Sequence, residues 1–77
     1  MKTSDVNEKM IGRKVKGVFT GMQITGTIIK IIEEPNYKGV KIQLDEPMNW
    51  GGELYKTYES TARKSDEFGN LQNTELI

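Results

Sequence analysis

The sequence predicts a mainly β domain: five strands in a small barrel or strongly curled antiparallel sheet, with a short helical turn in front. Three observations carry this. Residues 12–32, GRKVKGVFTGMQITGTIIKII, read as two strands joined by a tight turn, rich in the β-branched side chains that suit a pleated surface. Gly17 and Gly26 interrupt those strands, and a glycine inside a strand marks a bulge or sharp bend. Val40, Ile42 and Leu44 alternate with Lys41 and Gln43, a one-face strand pattern.

Taken in order, residues 1–4 read as a flexible tail ahead of one domain that spans 1–77. Asp5-Val6-Asn7-Glu8 fits a capping box, with Asp5 as N-cap and Glu8 three residues on. Val6, Met10 and Ile11 then share one side of a helical turn over residues 5–11, which Gly12 ends. That turn is placed to plug one open end of a barrel; the alternative is a disordered lead-in.

In the first strand Val15, Gly17 and Phe19 share a face, and Lys14, Lys16 and Val18 the other. Thr20-Gly21-Met22-Gln23 forms the turn, with Gly21 free to take positive φ. The second strand runs from about residue 24 to 32. Its second half is apolar on both sides, so burial on both faces is expected. Pro35-Asn36 turns the chain, and residues 37–44 form the third strand.

Residues 45–52, with Pro47 and Gly51-Gly52, form the longest break. Leu54, Tyr58 and Ala62 fit either a strand or a helix face over 53–64; Tyr55, Thr57, Tyr58 and Thr61 favour strand. Gly69-Asn70 signals a two-residue hairpin that pairs Phe68 with Leu71 and sets Lys64 opposite Glu75.

Composition excludes several function classes. The chain has no cysteine and no histidine, hence no disulfide, no thiolate metal site and no imidazole base. No P-loop or nucleophile motif accompanies its serines or glycines. The acid pairs Glu33/Glu34, Asp45/Glu46 and Asp66/Glu67 read as solvated turns. No catalytic residue, metal or cofactor is therefore expected, and the protein is not read as an enzyme. No apolar run approaches the ~18 residues of a membrane span, and the N-terminal residues lack the apolar stretch of a signal peptide. The expected location is the cytoplasm.

Net charge is zero, which argues against a surface built mainly for nucleic acid. Residues 1–44 hold eight basic and four acidic side chains, a net +4, and residues 45–77 hold three and seven, a net −4. Such asymmetry gives either a two-sided surface or one that neutralises itself across the sheet.

The strands VKGVFTGMQITGTIIKI followed by YKGVKIQL resemble the opening of small SH3-like β-barrels, the group that includes Tudor and Sm-like modules. The resemblance is one of pattern, over residues 12–60. The aspartate-containing strand motif of Sm proteins and the ALYDY-type motif of signalling SH3 domains are missing. What the resemblance implies is a non-catalytic binding module; a fold does not name its ligand.

Two sets of residues are candidates for that binding. Trp50, flanked by Pro47, Met48 and two glycines, suits a protein or peptide anchor, with Tyr37, Tyr55 and Tyr58 beside it and Asp45 and Glu46 steering a basic partner. The competing reading folds Trp50 back over the barrel end. Arg13, Lys14, Lys16, Lys30, Lys38 and Lys41 form the second set, a stripe on the first three strands able to meet nucleic-acid phosphates, with Tyr37 to stack a base. Its competing reading is a solvated face. A third expectation is a structural homo-oligomer in which a sheet edge pairs with its own copy. The leading expectation is the protein-interaction module, as a small subunit of a larger assembly.

Overall fold

A computed structural model describes residues 1–64, 71 and 74–77. Five antiparallel strands form one sheet: β1 (Lys14–Phe19), β2 (Met22–Glu33), β3 (Tyr37–Trp50), β4 (Glu53–Arg63) and β5 (Thr74–Leu76). Their order is β4-β3-β2-β1-β5, so the chain meanders through four strands and returns to lay β5 on β1. The mainly β expectation holds, and residues 53–63 are strand. Among the described residues no ladder joins β4 to β5, so the sheet is curled but not closed.

The inner face carries the core. Val6, Met10, Val15, Ile28, Val40, Ile42 and Leu71 form the main cluster, and Ile24, Leu44 and Met48 a second one. Tyr58 borders both and links them. In β1 the predicted faces are the observed ones: Val15 is buried, and Lys14, Lys16 and Val18 face solvent.

The N-terminal region differs from its expectation. In place of one helical turn there are two single 3-10 turns, Thr3–Asp5 and Glu8–Met10. Asp5 does not cap; Asn7 does, its side chain accepting from the Lys9 N–H at 2.9 Å. A local Asx bond of this kind competes with helix formation. Val6 and Met10 still reach the core, whereas Ile11 is exposed. The first residue is bonded to the end of the chain. The Met1 ammonium donates to the Thr74 carbonyl at 2.9 Å. The Leu71 N–H donates to the Met1 carbonyl at 2.8 Å.

Three further expectations are corrected. The first turn needs only Thr20 and Gly21, so Met22 and Gln23 belong to β2. The bend in β2 lies at Ile29, where the β2–β3 register shifts between Ile28 and Lys30, not at a glycine. That bulge turns Ile29 out to solvent, so the far half of β2 is not buried on both faces. Gly26 instead serves close packing: a methyl there would meet the Gln43 carbonyl and the Ile42 side chain.

The stretch 45–52 is not a long break. β3 continues to Trp50, and only Gly51 and Gly52 turn the chain. The last hairpin register is also revised. Glu75 stands opposite Lys16 on β1, and Lys64 pairs with Glu33, with Nζ and Oε1 3.3 Å apart. Phe68 and the Gly69-Asn70 turn lie outside the described residues. No helix among the described residues is long and apolar enough to cross a membrane.

Candidate interaction surface

Two hairpin tips meet at one end of the molecule. The loops Thr20-Gly21 and Gly51-Gly52 both place positive φ at their two central residues, 52° and 80° in the first, 60° and 83° in the second. This is the geometry that matches the twist of a two-residue hairpin, and glycine supplies it without steric cost. The tips are joined by aromatic packing. The Phe19 ring lies 5.5 Å from that of Tyr55, edge to face, and 5.2 Å from that of Tyr58. Thr20 Oγ1 reaches Met48 Sδ at 3.8 Å.

Cross-strand register places Trp50 with Glu53 and Met48 with Tyr55. Directly opposed residues point to one side, and residues two apart along a strand share a face. Trp50 therefore lies on the face of buried Met48, as the outward extension of the second apolar cluster. It remains 52% exposed, so it does not fold back to plug the core. Met22, opposite Phe19 at the other tip, is equally exposed. Leu54 points to the other side of the β3–β4 hairpin and is 60% exposed.

Beside the tips, β3 makes a wide bulge. Gln43 pairs with Thr57 and Met48 with Tyr55, so Asp45, Glu46 and Pro47 have no partner in either ladder of the described residues. Proline fits here because it has no N–H to donate. A 490 Å³ cleft lined in part by Met22, Ile24, Asp45, Glu46, Pro47 and Met48 opens between β2 and the bulge. Asp45 crosses the outer face to Lys14, with Oδ1 2.6 Å from Nζ. That hydrogen bond, seconded by one to Thr25, holds the Asp45 carboxyl below its ordinary value.

The sequence-predicted anchor set is only partly assembled. Trp50, Asp45 and Glu46 lie at the hairpin end. Tyr55, opposite Met48, and Tyr58, opposite Ile42 further down the hairpin, are half-buried and turned to Phe19. The Tyr55 hydroxyl donates to Glu53 at 3.2 Å, which raises its pKa by favouring the neutral phenol. Tyr37 begins β3, thirteen positions from Trp50, across from Arg63; it does not join the set. Met22 and Leu54 are the residues missed from sequence. The sequence placed Met22 inside the turn and Leu54 on the face of Tyr58 and Ala62; Leu54 is instead turned outward, because the alternation of β4 changes side between Tyr55 and Tyr58, opposite the β3 bulge.

The basic stripe is met by acids. Lys14 pairs with Asp45, and Lys16 with Glu75 at 3.9 Å, each a base of the first half against an acid of the second. Lys41 stands between Lys30 on β2 and Glu59 on β4. Lys38 is opposite Glu33. Arg13 precedes β1, exposed. Lys30 and Lys41 are the one directly opposed basic pair of the set.

Residues 1–76 match the family described as a domain of unknown function (DUF7258), and the chain belongs to that family. Neither a curated protein nor a solved structure matches the chain.

Proposed function

We propose that this member of the DUF7258 family is a non-catalytic interaction module, a small SH3-like barrel that binds a peptide segment of a protein partner at its hairpin end. The return of β5 to β1 and the curl of the sheet support the barrel reading. The single observation that carries the binding reading is Trp50: half exposed, on the face of the buried Met48, at a tip braced by Phe19 and Tyr55. A tryptophan at such a tip suits an anchor, because it buries a large area for the loss of only two side-chain torsions. Exposed Met22 adds an adaptable apolar neighbour on the second tip.

The acids of the bulge set the polarity of the partner. Asp45 is ionised and held by Lys14, and Glu46 adjoins it. A segment with an apolar residue for Trp50 and a basic residue for this rim fits both features. We place the module in the cytoplasm, as part of a larger assembly.

Selection of a displayed random-peptide library on the immobilised chain tests this. Enriched peptides that pair an aromatic or aliphatic residue with a basic one, and that lose binding to a folded Trp50→Ala variant, are the expected result. Peptides that bind that variant as well as the original would overturn the reading.

A further inference from the structure

We infer that the cleft between β2 and β3 receives a short extended segment of the partner as an added strand, paired through its backbone to the open edge of β2. This rests on the peptide-binding reading of the hairpin end and says how that segment is held. The ladder of β2 and β3 ends at the pair Gly26 and Leu44. Beyond it, among the described residues, residues 22–25 pair with β1 alone and residues 48–50 with β4 alone. The 490 Å³ space that opens between the two strands is lined by residues of both faces: Ile24 and Met48 of the buried cluster, and Thr25 and Asp45 of the outer surface. The cleft therefore runs in the plane of the sheet, where a strand fits, and not across one face.

The backbone of β2 is turned to suit this. The Ile28 N–H donates to the Arg13 carbonyl at 3.0 Å, and the Ile28 carbonyl accepts from the Gly12 N–H at 2.8 Å, so both groups of Ile28 are directed toward the β1 side. Backbone groups alternate sides along a strand. Gly26, Ile24 and Met22 then direct theirs to β1 as well, and Gln23 presents its N–H and C=O to the cleft, past the end of the β3 ladder. On the facing wall Pro47 has no N–H to offer, which leaves β2 as the pairing edge. Backbone pairing of an extended peptide to an exposed strand edge gives affinity, and the side chains around it give specificity. Here Ile24 and Met48 form an apolar floor, extended by Met22, which is 52% exposed. Asp45 is held by Lys14, whereas Glu46 is exposed and makes no ion pair among the described residues. A segment that alternates an apolar with a basic side chain matches floor and rim.

The test uses the tightest-binding peptide from the library selection, resynthesised with each backbone nitrogen methylated in turn. The expected result is that methylation weakens binding about tenfold or more at alternate positions and little at those between, since only every second amide of an added strand faces its neighbour. The Gln23 amide of the whole chain should gain protection from hydrogen exchange when the unmodified peptide is bound. Indifference to methylation at every position, or unchanged exchange at Gln23, would overturn the added strand, while loss of that peptide's binding in Trp50→Ala would leave the hairpin-end reading standing. A selection that yields no peptide dependent on Trp50 would overturn both. Protection of Gln23 that rises with the concentration of the free chain would assign the cleft to a second copy, and would overturn the inference as well.

Discussion

The Ser60 Oγ and the Thr74 Oγ1 lie 2.9 Å apart, in a hydrogen bond between a buried pair on the two strands that no ladder connects. Tyr58 OH joins the same Thr74 oxygen at 3.2 Å. Side chains thus close the seam of a sheet whose backbone leaves it open. Removing the Thr74 hydroxyl takes a partner from both Ser60 and Tyr58, whereas removing Ser60 leaves Thr74 bonded to Tyr58. Thr74→Val should cost about 1–3 kcal/mol in urea unfolding, more than Ser60→Ala. The double variant should lose less than the sum of the two, because it removes both ends of one bond.

Gly39 sets how closely β3 approaches β4. A methyl at this position would run into the Ser60 carbonyl and the Thr61 backbone, neither of which can rotate away. Gly39→Ala should therefore destabilise by about 1–3 kcal/mol, the range of overpacking. The same change at Gly12, where nothing lies nearby, is opposed by its φ of 93° instead. Thermal unfolding of both variants separates contact from conformation, since the first should yield a shifted β3–β4 register in amide spectra and the second should not.

Phe19 and Trp50 divide the work at the hairpin end. Phe19 braces two tyrosines and is half-buried, whereas Trp50 is half exposed at the tip. Phe19→Ala should cost about 2 kcal/mol of stability. Trp50→Ala should stay within about 0.5 kcal/mol of the original while abolishing peptide capture. A fall in stability on losing Trp50 equal to that for Phe19 would return it to the core.

Asp45 links stability to pH. Hydrogen bonds from Lys14 and Thr25 hold its folded pKa below its ordinary value. A depressed acid contributes stability that is present above the unfolded value and lost as pH falls through the folded one. The melting temperature should therefore drop on acidification below about pH 4, and Asp45→Asn should flatten that part of the curve. Titration of Tm against pH for both chains checks it.

The lysines of the outer face invite a salt test. With Lys14 paired to Asp45 and Lys16 beside Glu75, two of the six cations of the stripe have an acid close by, which lowers the number of counterions it can release from a phosphate backbone. Titration of a labelled sample with a mixed single-stranded oligonucleotide should give no shifts at moderate salt. Shifts clustered on Arg13, Lys14, Lys16, Lys30, Lys38 and Lys41 that fade with salt would favour nucleic acid over peptide.

What the sequence determined alone was local. Alternation around Val15 and Val40 and β-branched runs indicated strands and the inward side of β1 and β3, because period and propensity act between near neighbours. The absence of histidine and cysteine bounded the chemistry in the same way. The tertiary structure decided what depends on partners far along the chain. Asn7 rather than Asp5 caps a turn because Val6 and Met10 must reach the core. Ile29 is turned out, and Asp45, Glu46 and Pro47 are thrown into a bulge, because the register across β2, β3 and β4 must keep Ile28, Ile42 and Met48 inside. Lys16 met Glu75 and not some closer acid because β5 returns to β1. Trp50 was ambiguous in sequence for the same reason: whether it plugs or projects depends on the β3–β4 register, which carries it past Met48 to the hairpin tip.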